Sequence, residues 1–170
     1  APDGRDGMFK HARGFASKQI PFIFDPGQAM PAFLGDEIAE LIGMADYLSV
    51  NDYEAEMIAQ KTGRAIESFA PGLKALIVTL GAQGSRVYTD GRMVDVPVVP
   101  ASALVDPTGC GDAFRAGLLY GIAHGWSVEK ACKLGSLVGS IKIAERGGQN
   151  HNFTEPAIRA RFAEVWGERW

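Results

Sequence analysis

Hydrophobic positions along the chain switch between short apolar runs and longer stretches at helical spacing. Residues 1–19 are polar and glycine-rich, and no regular element is read into them. Ile20 to Phe24 is an apolar run stopped by Asp25-Pro26-Gly27, which reads as a buried strand ended by turn residues. From Gly35 to Met44, Ile38, Leu41 and Ile42 fall on one helical face. Tyr47 to Val50 reads as a second strand and Asn51 to Gln60 as a second helix. Lys74 to Leu80, "KALIVTL", is the clearest buried strand, because it is rich in β-branched residues. Gly84 to Thr89 and Met93 to Val99 follow as a hairpin-like pair around Asp90-Gly91.

Three helices close the pattern. Ala113 to Ala123 carries Phe114, Leu118, Leu119 and Ile122 on one side. Val128 to Ala144 is apolar nearly all round and reads as a core helix. The last starts at Thr154, an N-cap candidate, with Pro156 in its first turn and a stripe of Ile158, Phe162, Val165 and Trp166. Strands that alternate with helices predict α/β layering around a largely parallel sheet, expected here as one domain over residues 1–170. Ligands of such sheets bind where strand carboxyl ends lead into loops. That rule singles out Asp25 to Gly27, Asn51 to Glu54 and Leu80 to Gly84. The pattern opens midway, as though earlier strands were missing.

Composition narrows the classes. Of the 170 residues 46% are hydrophobic and 22% charged, enough for a core of normal size. A net charge of -3 gives no support to a nucleic-acid footprint. No apolar run is long enough for a membrane span, and "APDGRDGMFKHARGF" lacks the apolar middle of a signal peptide. The two cysteines, Cys110 and Cys132, have no metal-ligand or disulfide spacing, so a reducing cytoplasm is the default.

The densest chemistry lies in Asp106-Pro107-Thr108-Gly109-Cys110-Gly111-Asp112, which runs into the helix "AFRAGLLYGI". Gly109, Cys110 and Gly111 are small, so their N–H groups can approach a ligand closely. At a helix start they are unpaired donors in a positive potential suited to phosphate. Asp112 cannot help bind an anion, since like charges repel, but it could take a proton from a hydroxyl that attacks one. A plain reading of the same spacing is a glycine-rich turn with a stabilising acid in the first helical turn. G-x-x-x-x-G-K-[ST] is absent, Phe114 breaks G-x-G-x-x-G, and no nucleophilic-serine elbow occurs.

"DPTGCGDAFRAGLL" resembles the C-terminal signature of the PfkB, or ribokinase-like, family of carbohydrate and nucleoside kinases, whose usual core is D-T-x-G-A-G-D. The resemblance implies that Asp112 is the catalytic base and that Gly109, Cys110 and Gly111 form the anion hole. Pro107 stands where Thr is commoner, and Cys110 where Ala is, which adds an expectation of oxidant sensitivity. "VTLGAQG" resembles the family's V-T-x-G-x-x-G segment, which implies that Thr79, Gly81 and Gly84 line the ATP site. A strand leading into a hairpin loop explains those glycines as well. Asn51-Asp52-Tyr53-Glu54 matches N-x-x-E, associated with Mg²⁺ and phosphate, and it is equally a helix capping box. Asp106 and Thr108 fall where such enzymes often bind a monovalent cation such as K⁺. Asp106 could also simply close the turn. Gly147 to His151 resembles the family's late loop near adenine, which brings in Gln149 and Asn150.

The opening segment, "APDGRDGMFKHARGF…IPFIFDPGQAMPAF", reads like the middle of bacterial adenosine-kinase-like sequences. The resemblance therefore implies a Rossmann-like three-layer α/β/α sandwich, ribokinase-like, without the N-terminal part and lid that carry most of the acceptor site. The implied reaction is phosphorylation of a ribose-bearing acceptor by ATP with Mg²⁺, adenosine first. A sugar such as ribose or fructose is the alternative acceptor, and a nucleotide-binding fragment without turnover the alternative class. An exposed sheet edge makes a homodimer the expected protein partner, with neither nucleic acid nor membrane involved.

Overall fold

In the computed structural model, which describes residues 4–170, the β-branched runs and the helical stretches become the elements of an α/β fold. Ala1 to Asp3, the start of the polar segment, lie outside the described residues. In chain order the elements are α1 (Arg5–Ser17), β1 (Ile23–Phe24), α2 (Gly35–Met44), β2 (Tyr47–Asn51), α3 (Asp52–Thr62), β3 (Ala75–Thr79), β4 (Ser85–Thr89), β5 (Arg92–Val96), α4 (Cys110–Ala123), α5 (Val128–Lys142) and α6 (Glu155–Trp166). The strands form one sheet of order β1-β2-β3-β4-β5. β1, β2 and β3 are parallel, with Phe24 opposite Leu48, Leu48 opposite Leu76 and Asn51 opposite Thr79. β4 and β5 meet at Asp90 and Gly91, both at positive φ, as a two-residue hairpin turn requires.

Contacts group the chain into two compact units, residues 1–81 with 86–94 and residues 82–85 with 95–170. The first is built on the parallel strands. Ile38, Leu41, Leu48, Ile58 and Leu76 are inaccessible to solvent in its core. A helix over Arg5–Ser17 is the main departure from the sequence reading, which left residues 1–19 without an element. Its buried positions are only Phe9 and Ala12, one turn apart, and two residues are too few to show as an apolar stripe. The strand expected over Ile20 to Phe24 shrinks to Ile23–Phe24, because Pro21 lacks a donor for the ladder.

The second unit holds α4, α5 and α6 around Leu134, Leu137, Val138, Ile158 and Phe162. α5 is the core helix expected, with nine positions from Ala131 to Lys142 buried. Leu119 on α4 faces solvent at 53% exposure, so it falls outside the apolar face expected of that helix. α4 and α5 meet through small residues. A Cβ on Gly117 would lie 2.6 Å from the Gly135 nitrogen, and one on Gly121 would lie 2.5 Å from the Ala131 Cβ. Backbones this close allow no side chain at either glycine without separation of the helices. Thr154 caps α6 as expected, its hydroxyl accepting the Ala157 N–H, with Pro156 in the first turn.

Gly117→Val is therefore expected to destabilise the protein by about 1–3 kcal/mol through overpacking. Gly43→Ala, in α2 with open space around it, is expected to be neutral or to stabilise by up to about 1 kcal/mol. Denaturant midpoints at constant m check both, and a neutral Gly117→Val would contradict the close helix contact.

Candidate active site

In the first unit the parallel register places Asn51, the last residue of β2, beside Thr79, the last of β3. Two motifs far apart in sequence thereby share one strand-end edge, the edge at which α/β sheets bind ligands. The Thr79 hydroxyl donates to the Val50 carbonyl at 3.4 Å. The chain then turns at Gly81, whose φ of +56° suits glycine. Asn51 and Glu54 form the capping box of α3: Asn51 Oδ1 accepts the Glu54 N–H at 2.7 Å, and Glu54 Oε2 accepts the Asn51 N–H at 2.9 Å. Glu54 Oε1 lies outside this box. No group of three or more acidic, His or Cys side chains able to hold a metal occurs among the described residues. A Mg²⁺ here would fit as a weakly held ion with one carboxylate oxygen, water and substrate phosphate as ligands.

In the second unit Gly84 sits at φ +92°, with the Val96 carbonyl 2.2 Å from where a Cβ would stand, so only glycine fits. The loop from Asp106 to Asp112 leads into α4. Gly109 takes a left-handed conformation, φ +81°, as the N-cap residue, and no side chain caps the helix. The first bond of the α4 ladder runs from the Ala113 N–H to the Gly109 carbonyl, 2.9 Å. The Gly111 and Asp112 N–H groups precede it and are donors the helix does not use. The Cys110 N–H, by contrast, donates to the Pro107 carbonyl at 3.1 Å and holds the turn closed.

Asp106 anchors the loop. Its Oδ1 accepts the Thr108 N–H at 2.9 Å and its Oδ2 the Gly147 N–H at 2.8 Å. The Gly147 bond and the Thr108 bonds together pull its carboxyl from 3.8 to about 2. This carboxylate thus joins the loop before α4 to the loop after α5. Gly148 passes so near that a Cβ on Gly109 would meet its Cα at 3.0 Å. In the late loop Asn150 Nδ2 donates to the Arg146 carbonyl at 2.8 Å, while Gln149 is exposed.

Asp112 is exposed at the first turn of α4, and Arg115 Nη2 donates to its Oδ1 at 2.7 Å. The same guanidinium stands 3.3 Å from the Cβ position of Gly111. Sequence reasoning passed over Arg115; the spacing i, i+3 from an acidic residue was the available signal. Burial pushes the Cys110 thiol up from its ordinary value; Lys142 opposes the rise and Asp106 adds to it. A thiol held protonated is a poor target for oxidants, which runs against the expected oxidant sensitivity. Lys142, also missed, is fully buried, and its ammonium donates to the Asp106 carbonyl at 2.7 Å and to the Glu145 carbonyl at 3.0 Å. An apolar cleft of about 300 Å³ between Gly117, Tyr120, Leu134 and Trp170 is lined by none of residues 106–112.

The sequence profile of the pfkB family of carbohydrate kinases matches residues 6–155. A nucleoside kinase of Methanocaldococcus jannaschii is 33% identical over 128 residues, covering 75% of this chain and 42% of that protein. The structure of Burkholderia thailandensis nucleoside kinase in complex with inosine matches with a TM-score of 0.96 at 44% identity, over 100% of this chain and 57% of that one. The same enzyme in complex with ADP-inosine matches with a TM-score of 0.95 at 44% identity, over 98% of this chain and 52% of that one. The chain thus spans about half the length of these relatives. No helix among the described residues is long and apolar enough to cross a membrane.

Because the Asp106 carboxyl is depressed from 3.8 to about 2, the ionised group stabilises the fold at every pH above its unfolded value. That contribution is lost as pH falls from about 4 toward about 2. Asp106→Asn is expected to be less stable than wild type at pH 7, with the two unfolding free energies converging across that window. Urea titrations at successive pH values check this; a constant difference down to the acid limit would show that the two N–H bonds do not act through the charge.

Proposed function

The chain belongs to the pfkB family of carbohydrate kinases, and from that premise we propose that it transfers the γ-phosphoryl group of ATP to a ribose hydroxyl of a purine nucleoside. The observation that carries the reading is the start of α4: an uncapped helix N-terminus with free Gly111 and Asp112 N–H donors and the Asp112 carboxylate at its edge. Those donors suit the charge that develops on a transferring phosphoryl group. Asp112 Oδ2 lies outside the Arg115 contact, and it is the atom proposed to take the proton of the attacking hydroxyl. Arg115 orients the carboxylate, and its guanidinium adds positive charge beside Gly111. Gly109 supplies the bend that aims the donors. Cys110 contributes chiefly the turn-closing bond to Pro107 rather than a free donor.

Thr79 and Gly81 in the first unit are proposed as nucleotide contacts, and so, within the second unit, are Gly84, Gln149 and Asn150. Asn51 and Glu54 would hold a Mg²⁺ ion through water, and such an ion would supply positive charge to the phosphates. The acceptor is chosen as a nucleoside because nucleoside kinases are among the relatives and a neighbour of 44% identity carries inosine. Adenosine and inosine are thus the first substrates to try, with ribose and fructose as the competing class. Since the chain spans about half of its relatives, these roles refer to the full-length natural protein.

Asp112→Asn in that protein is expected to keep ATP binding and to lose turnover by about 10²–10⁴-fold, the range for loss of a general base. Calorimetry with ATP and a coupled assay over a panel of nucleosides and sugars measure the two. Retained turnover in the variant would overturn the mechanism, and a preference for a free sugar would overturn the acceptor.

A further inference from the structure

A lysine with no solvent exposure is costly unless its charge has a purpose in the fold. Lys142 is such a residue, at the last turn of α5, where the helix dipole favours a cation. Its ammonium bonds two backbone carbonyls rather than a carboxylate: Asp106, at the head of the loop that feeds α4, and Glu145, in the loop that follows α5. Around it the two segments are tied again. The Val105 and Asp106 N–H groups both donate to the Ile143 carbonyl, at 2.9 and 3.1 Å. The Asp106 side chain accepts the Gly147 N–H at 2.8 Å. A positive charge that bonds converging carbonyls beside a carboxylate is the arrangement by which a bound monovalent cation would organise two loops.

The residues do not fit such a cation as well. The Asp106 carbonyl already receives the ammonium at 2.7 Å. Each Asp106 carboxylate oxygen already accepts a backbone N–H. A second cation at Asp106 and Thr108 would meet the like charge of Lys142 at close range. We propose that Lys142 is a built-in monovalent cation, a positioning residue whose ammonium holds the Asp106–Asp112 loop and the α4 N-terminus in their anion-binding geometry without K⁺. The proposal rests on the phosphoryl-transfer reading of that loop. Lys142 touches no reacting atom; it acts through the carbonyl of Asp106 and the loop downstream.

The test uses the full-length protein in KCl, NaCl and choline chloride at matched ionic strength, with kcat, KM and melting temperature all recorded. Wild type is expected to show the same values in the three salts. Lys142→Ala is expected to lose kcat by about a hundredfold, the scale of a misplaced active site, with KM for the nucleoside little changed. Its kcat and melting temperature are expected to recover with K⁺, ammonium or ethylammonium but not with choline, because only small cations can refill the space between the carbonyls. Selective activation or stabilisation of wild type by K⁺ would overturn the proposal, and this measurement needs no variant to fold. So would full kcat in Lys142→Ala, or a loss that no small cation restores. Melting temperatures decide the cation question even if no nucleoside is phosphorylated, which separates failure of this proposal from failure of the kinase reading.

Discussion

The closeness of α4 and α5 is the contact on which the second unit turns. With Gly117 against the Gly135 backbone and Gly121 against the Ala131 methyl, the two backbones approach closely along the crossing. The helices run side by side so that the start of α4 lies by the end of α5, where a Cβ on Gly139 would be 3.9 Å from the Cys110 carbonyl. The unused N–H donors of one helix are thereby set against the last turn of the other, within reach of a lysine. Widening the crossing would draw the Lys142 ammonium off the Asp106 carbonyl and loosen the loop that aims Gly111 and Asp112.

Around that crossing the charges work in opposite senses. Asp106 is a structural carboxylate: its oxygens are engaged by N–H groups and its charge is held deep into the acid range. Asp112, six residues later, is exposed, with Arg115 on one oxygen. Two acids that bracket one short loop thus divide into an anchor and a candidate base by environment alone, a common way in which active sites sort like groups. The first unit contributes in a simpler way. Its parallel register brings the ends of β2 and β3 level, and the capping box that starts α3 fixes Asn51 and Glu54 where a loosely held metal and phosphate could meet them. Capping and ligand handling use different atoms of Glu54, so one motif can serve both.

Much of this was legible before any coordinates. The short strand run at 47–50 and the β-branched run at 74–80, the helical face of Ile38, Leu41 and Ile42, and Thr154 with Pro156 follow from local rules of periodicity and capping, and those elements stand where they were expected. The glycines of the loop at 109–111 and the final Asp112 carry the family resemblance by spacing alone, and the profile match over residues 6–155 bears it out. What failed locally failed for physical reasons. α1 buries too few residues to leave a period, and Pro21 trims a strand that reads as a full apolar run. Leu119 looks like core in a helical projection, yet no element among the described residues covers it.

The amino-acid order by itself determined the elements, the small-residue loop, and the identity of the groups that could bind phosphate or take a proton. Those depend on neighbours a few residues away. Only the tertiary structure decided which of two aspartates is anchored and which is open, that the Cys110 N–H is consumed by its own turn, and that a lysine hidden in an apolar helix points at the head of the loop. The first and the last of these are set by residues 36 to 41 positions distant: Asp106 meets Gly147 and Lys142 at separations of 41 and 36. Local pattern carries no record of such pairs, because they arise only once two helices have packed close enough for one backbone to reach the other.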